Sequence, residues 1–287
     1  MKKRHQFIFL LFTCLISIVH SSALAEKPNK KHLSTANSTM FSIGRTKLLD
    51  TYLSPMNYQG SHLGISHELI RYINRGDDKW ANQFMFNIEF ASTNTVFGSG
   101  LVYEAMAGYT GTSYRIFPIA RNFQLGVGPS LGVDGGVIYN MGGGNNPASA
   151  RVAIKAGVGG IATYKLFIRK YTLFLRYQAI LPLISTFFSP AYGQSYYEIF
   201  SLGNRKGIVK FGSFHNRFDM DNLLSLDLPI GRNYFRMGYS CKMQMTNTNH
   251  IKTRVVSNAF LFGYAREFIP FKRRNNKTSG EIRNPIF

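Results

Sequence analysis

"NYFRMGYSCKMQMT", Asn233 to Thr246, is two sequences laid alternately. One set is Tyr234, Arg236, Gly238, Ser240, Lys242, Gln244 and Thr246; the other is Phe235, Met237, Tyr239, Cys241, Met243 and Met245. Successive side chains of a β-strand point to opposite faces, so this stretch reads as one long strand with a cationic, polar side and an oily side. Strands of soluble sandwiches usually run about 5 to 6 residues, and their apolar faces pack against a second sheet. A strand more than twice that length, oily along one whole side, suits a wall between water and lipid.

The same alternation recurs along the chain. In "NFQLGVGPSLGVDGGVIYN", Phe123, Leu125, Val127, Leu131, Val133, Val137 and Tyr139 share one face, opposite Gln124, Gly126, Gly128, Ser130, Gly132, Asp134 and Gly136. "RVAIKAGVGGIATYKL" sets Val152, Ile154 and Val158 against Arg151 and Lys155, and "QFMFNIEF" sets Phe84, Phe86, Ile88 and Phe90 against Asn87 and Glu89. Tight connections at "NRGDDK", "PIARN", "FIRKY", "GNRKG" and "PIGRN" alternate with longer ones at "LLDTYLSPMNYQG", "STNTVFGS", "MGGGNNPAS", "STFFSPAYGQ", "FHNRFDM" and "TNTNHIKT". Such asymmetry matches the short periplasmic turns and longer extracellular loops of a transmembrane barrel. The expectation is an all-β, antiparallel, up-and-down transmembrane β-barrel of about twelve strands, with 194–202, 207–215 and 219–229 counted among them. Closure removes every strand edge, which a bilayer demands. Phe117, Phe123, Phe167, Tyr171 and Phe268 flank the tight turns, where an aromatic girdle belongs.

Residues 1–25 have the form of a cleaved secretory signal: Lys2, Lys3 and Arg4, the apolar run "FIFLLFTCLISIV", then Ala23 to Ala25. The expected layout is this signal at 1–25, an N-terminal linker at 26–37, the barrel at 38–271, and a basic tail at 272–287. Removing the three signal cations from the net charge of +20 leaves about +17, which favours anionic partners. For an exported chain these are outer-membrane lipid and lipopolysaccharide rather than nucleic acid. With Cys14 in the signal, Cys241 has no internal partner for a disulfide.

"LLDTYLSPMNYQG", "GNNPASA" and "SFHNRFDMDNLLSLDLPIGRNYFRMGY" resemble segments of the uncharacterised outer-membrane β-barrel proteins of bacteroidete envelopes. The resemblance implies a bacterial outer-membrane location and insertion by the barrel assembly machinery, and carries no known chemistry. Barrels of this class end in an aromatic residue; Phe268, Phe271 and Phe287 all compete for that role here.

Inward positions bring together Glu68, Glu89, Glu104, Asp134 and Asp227 with Arg151, Lys155, Arg176, Arg236 and Lys242. These charges either select solutes in a small channel or neutralise one another in an occluded, structural lumen. "GSFHNRFDMDN" is the alternative site: Ser213 and His215 share a strand face, and Asp219 follows, as a lipid acyl hydrolase would need. The Ser-x-His order departs from the His-x-Ser of outer-membrane phospholipases. A secreted soluble β-protein is a further alternative. "GVGPSLG" is not a nucleotide loop, because Pro129 and continued alternation replace the helix that such a loop opens. The scattered histidines and the single mature cysteine suggest no metal and no cofactor.

Overall fold

The computed structural model describes residues 32–268, apart from 76, 77, 96, 97, 99, 145, 169, 170, 231 and 232. The signal at 1–25, the tail at 272–287, Phe271 and Phe287 lie outside the described residues. The strands are β1 (His32–Asp50), β2 (Ser54–Arg75), β3 (Asp78–Thr95), β4 (Leu101–Ala120), β5 (Phe123–Asn140), β6 (Ala148–Ile168) and β7 (Tyr171–Phe188). After a helical turn, α1 (Tyr196–Phe200), come β8 (Val209–Gly212), β9 (Arg217–Ile230), β10 (Asn233–Thr248) and β11 (Ile251–Phe268). β1 to β7 pair in order, β9 takes the place beside β7, and β10 and β11 follow until β11 meets β1. The result is a closed antiparallel ring of ten strands with β8 as a short addition.

Ten strands in the ring, rather than about twelve, is a correction with two causes. The stretch expected as a strand at 194–202 is loop and α1, because Ser195 and Glu198 cap one another's backbone amides and wind "YYEIF" into a helix. Gly193, Gly203 and Gly207 adopt positive φ around it, so "GNRKG" belongs to a long loop rather than a turn between strands. The strands expected at 207–215 and 219–229 both border β7: Val209–Gly212 pairs with its end, and Asp221–Asp227 with its first half. Both run antiparallel to β7, so β8 and β9 are one wall position interrupted by a tight turn. In that turn the amides of Asn216 and Arg217 donate to the Ser213 carbonyl at 3.0 and 2.8 Å.

β1 begins at His32, within the stretch read as linker, because "HLSTANS" lacks apolar alternation yet pairs with β2 from His32 and with β11 from Thr35 onward. "TNTNHIKT" closes more tightly than expected: Asn249 and His250 have φ of 55° and 62°, the conformation of a two-residue hairpin turn. Both chain ends of the barrel share one end with the strand boundaries Arg75 and Asp78, Ala120 and Phe123, Ile168 and Tyr171, and Ile230 and Asn233, here called the turn end. The opposite, loop end carries the connection at 189–208.

The surface is inverted relative to a soluble protein. Ile88 is 52% exposed and Phe262 47%, whereas Glu68 is 2% and Arg176 3% exposed. Phe41, Ile43, Leu63, Ile65, Phe86, Phe90, Leu131, Ile154, Met237 and Phe260 continue the exposed apolar band around the ring. A continuous band of this kind far exceeds the patches that soluble monomers leave in water. Phe117 and Tyr171 are exposed on the outer face at the turn end, with Arg115 over the Phe117 ring at 5.4 Å, as at a membrane interface; Phe167, expected in the same girdle, instead shares the lumen face of β6 with Lys165, which lies over its ring at 5.3 Å. Inside, the wall curves closely enough that a Cβ on Gly128 would lie 1.7 Å from the Ser113 carbonyl oxygen.

Candidate functional site: the charged lumen

Alternation alone carries a charged side chain inward wherever its strand neighbours face lipid, and closure then forces charges from distant strands together. Near the turn end the centre is Glu68 on β2. Its Oε2 accepts from Arg176 Nη2 at 2.8 Å, from Ser38 Oγ at 3.1 Å, and from Arg236 Nη1. Arg236 also grips Asp227, Nε to Oδ1 at 2.5 Å and Nη2 to Oδ2 at 2.7 Å, on the neighbouring strand. Gln83 donates to Glu68 Oε1 and exchanges bonds of 2.8 and 3.0 Å with Gln178. Tyr114 completes the shell by donating to Gln83 Oε1 at 2.9 Å.

A second network fills the loop-end half. Arg151 Nη1 meets Glu104 Oε1 at 3.1 Å and its Nη2 donates to Gln244 Oε1 at 2.6 Å. Lys242 pairs with Glu89, and Lys155 with Asp134 and, at 3.9 Å, with Asp219. Arg217 holds Asp219 Oδ2 from Nη2 at 2.6 Å and from Nε at 2.9 Å. Each of the lumen cations Arg151, Lys155, Arg176, Arg217, Arg236 and Lys242 thus lies within 4.0 Å of a carboxylate.

Apolar clusters flank both networks. Ile70, Tyr72, Ala81, Tyr114, Ile116 and Ile161 pack together near the turn end, and Phe174, Tyr234 and Ala265 form a separate cluster at the same end. Leu48, Tyr58, Val102, Ile138 and Val255 do so near the loop end, while Met40, Leu223 and Leu261 separate the two networks. Among the described residues, the pockets around Arg151 and Gln244 and around Met40 and Lys242 each offer about 40 Å³, room for a few waters.

The loop at 189–208 covers the loop-end mouth. Tyr52 OH donates to the Gln194 carbonyl at 2.7 Å, the Ala150 amide donates to Tyr196 OH at 2.5 Å, and Asn249 Nδ2 donates to the Ser189 carbonyl at 2.9 Å. Tyr196 stacks on Phe188 and meets Tyr52 edge-on, with centroids 6.2 and 6.0 Å apart. Burial against this loop pushes the Tyr52 phenol up to about 12, with the nearby Tyr196, Asp50 and Glu198 adding to the shift. The aromatic stretch "FFSPAYGQSYYEIF" therefore folds over the mouth, although Tyr192 and Tyr197 stay exposed.

Of the residues that sequence reasoning placed inside, the structure gives Glu68, Glu89, Glu104, Asp134, Asp227, Arg151, Lys155, Arg176, Arg236 and Lys242 each an ionic partner in the lumen. It also brings in Arg217, Asp219 and Asp221, which had been assigned to a loop or to its edge. Stepping back in twos from Asp227 through Ser225 and Leu223 would have reached all three. The Ser213 hydroxyl does lie 2.5 Å from His215 Nδ1. Asp219, however, is taken up by Arg217 and Lys155 inside the barrel, and Asn216 is engaged within the turn, its Oδ1 accepting from the Ser213 amide at 3.0 Å.

The family model described as "Protein of unknown function (DUF3316)" matches residues 8–275, nearly the whole chain. The chain belongs to the DUF3316 family. None of the curated proteins matches its sequence. Among solved structures it is similar to the transport unit of the autotransporter AIDA-I from Escherichia coli, with a TM-score of 0.47 and 10% identity over 87% of this chain and 94% of that one. It is also similar to the outer membrane protease OmpT from Escherichia coli, with a TM-score of 0.39 and 6% identity over 85% of this chain and 99% of that one. The β domain of the Bordetella autotransporter BrkA gives a TM-score of 0.41 and 10% identity over 81% of this chain and 99% of that one. Likeness at this level leaves the family member's role to its own residues.

Proposed function

We propose that this DUF3316 member is a bacterial outer-membrane barrel with an occluded lumen, a structural element of the envelope rather than an open channel. One observation carries this: the six cations deepest in the lumen, Arg151, Lys155, Arg176, Arg217, Arg236 and Lys242, are each paired with a carboxylate, and apolar clusters pack on both sides of the paired charges. A conducting filter needs charges that an ion can borrow in passing, whereas charges already committed to one another offer a permeant nothing. An exported chain with a lipid-facing band would reach this membrane through the assembly machinery for barrels. Purified, folded protein in planar bilayers should give no discrete conductance steps at any voltage; reproducible steps would overturn the proposal.

A second reading, lipid acyl hydrolysis, keeps one observation in its favour, the 2.5 Å contact between Ser213 Oγ and His215 Nδ1. Release of fatty acid from phospholipid or lipopolysaccharide that disappears in both Ser213→Ala and His215→Ala would establish it. Release that survives both variants would remove it.

A further inference from the structure

The outer face at the seam where β1 meets β11 changes character abruptly. Going toward the loop end, the outward rungs are Phe41 with Phe262, Ile43 with Phe260, Arg45 with Asn258, Lys47 with Val256, and Leu49 with Arg254. Two apolar rungs are thus followed at once by rungs bearing three cations, and Lys252 lies one outward step further along β11. Arg45, Lys47, Lys252 and Arg254 are all exposed. At about 3.4 Å per residue, Arg45 sits some 7 Å beyond the last apolar rung, where headgroups meet the hydrocarbon. The rungs carrying Arg45 and Arg254 are four residues apart, about 14 Å on the same scale.

Three features separate this patch from ordinary surface charge. Among the described residues, no other ring strand places a Lys or Arg on its outer face at the loop end; those positions hold residues such as Gln59 and Ser61 on β2, Asn94 on β3, Tyr103 on β4, Tyr139 on β5 and Asn247 on β10. The barrel's described carboxylates point into the lumen, and none is within ion-pair distance of these four cations, in contrast to Arg151, Lys155, Arg176, Arg217, Arg236 and Lys242 inside. Neutral donors and acceptors flank the patch: Asn57 accepts from Arg254 Nη2 at 3.2 Å, reaching across β1, and Asn258 accepts from the Tyr239 hydroxyl at 3.1 Å.

We propose that Arg45, Lys47, Arg254 and Lys252 form a binding site for the phosphates of a phosphorylated glycolipid in the outer leaflet, with the acyl chains lying on Phe41, Ile43, Phe260 and Phe262. The proposal rests on the membrane reading above and adds a ligand to it. Guanidinium groups bind phosphate bidentately and the lysines add point charges. Saccharide hydroxyls would meet Asn57, Gln59 and Asn258 beside them. The loop end fixes the leaflet: a lipid whose phosphates sit on sugars, spread over several ångströms, matches cations spread over the same range better than one phosphodiester does.

The test uses the folded full-length protein in zwitterionic vesicles, where insertion is verified first by heat-modifiable gel mobility. Failure at that step would overturn the membrane reading itself and be recognised as such. Lipopolysaccharide, its dephosphorylated form and phosphatidylglycerol are then titrated in, and the unfolding temperature is followed. Lipopolysaccharide should raise it, the dephosphorylated lipid should not, and the triple variant Arg45→Gln, Lys47→Gln, Arg254→Gln should bind about a hundredfold more weakly, at roughly a factor of five per cation. The loop variant Arg205→Gln, Lys206→Gln should respond as the parent does. An undiminished response in the triple variant, or an equal response to phosphatidylglycerol, would overturn the glycolipid site.

Discussion

Glu68→Gln removes one negative charge from the most crowded part of the lumen while keeping the shape of the side chain. In the parent, Glu68 faces two guanidinium groups, and the two are not equally dependent on it. Arg236 retains Asp227 through two bonds of 2.5 and 2.7 Å, so its charge stays compensated. Arg176 keeps only Ser225 Oγ, at 3.4 Å, while itself 3% exposed. The variant therefore leaves one buried cation without a counter-charge, and stability should fall by about 3 kcal/mol, the low end of the range for breaking a buried pair. With a urea slope of about 2 to 3 kcal/mol per molar, the midpoint should move down by about 1 M. Reversible unfolding in lipid vesicles, followed by gel mobility, reads that shift. The double variant Glu68→Met, Arg176→Met should lose much less, since an apolar pair of similar volume avoids the cost of desolvating two charges. A Glu68→Gln midpoint indistinguishable from the parent, or a double variant as unstable as the sum of its single changes, would refute the idea that these charges are mutually committed.

Other outcomes follow from the same geometry. Met237→Arg, on the lipid-facing side of β10, should lower stability in vesicles by about 2 to 4 kcal/mol, while Met237→Leu should change it by less than about 0.5 kcal/mol. Gly128→Val should abolish the heat-modifiable folded band, because its Cβ would strike the Ser113 carbonyl, whereas Gly135→Ala, with open space around its Cβ, should fold normally. The Tyr52 phenol has its folded pKa raised to about 12, so the part of the lid's attachment it supplies is complete below about pH 10 and is lost as pH climbs toward 12. Proteolysis of the loop at 189–208 should therefore accelerate over that interval, and Tyr52→Phe should show the faster rate already at neutral pH; equal rates in parent and variant would detach Tyr52 from the lid.

The ring's long strands were legible because lipid and lumen impose opposite chemistry on alternate residues, so Phe235, Met237 and Tyr239 could not be confused with Arg236 and Ser240. Legibility failed where the chain leaves the bilayer. "YYEIF" alternates as well as it winds, and only the Ser195 and Glu198 capping pair distinguishes a helical turn from a strand. The count went wrong for the same reason at 209–227: local sequence signals two strands, but only pairing reveals that both occupy one position beside β7. Which lumen charges meet was beyond the sequence altogether. Glu68 and Arg236 are 168 residues apart in the chain, and their contact depends on closure between β1 and β11 and on the tilt of every strand between them.

The chain's single tryptophan makes the orientation of the wall directly measurable. In a Trp80→Phe background, Phe86→Trp puts the only indole in the middle of the exposed apolar band on β3. In vesicles of lipids brominated near the ends of their acyl chains, its fluorescence should be strongly quenched, and aqueous iodide should leave it unchanged. Quenching by iodide with no response to the brominated lipids would mean that this face looks into water, and that the barrel does not stand in a membrane with its charges inside.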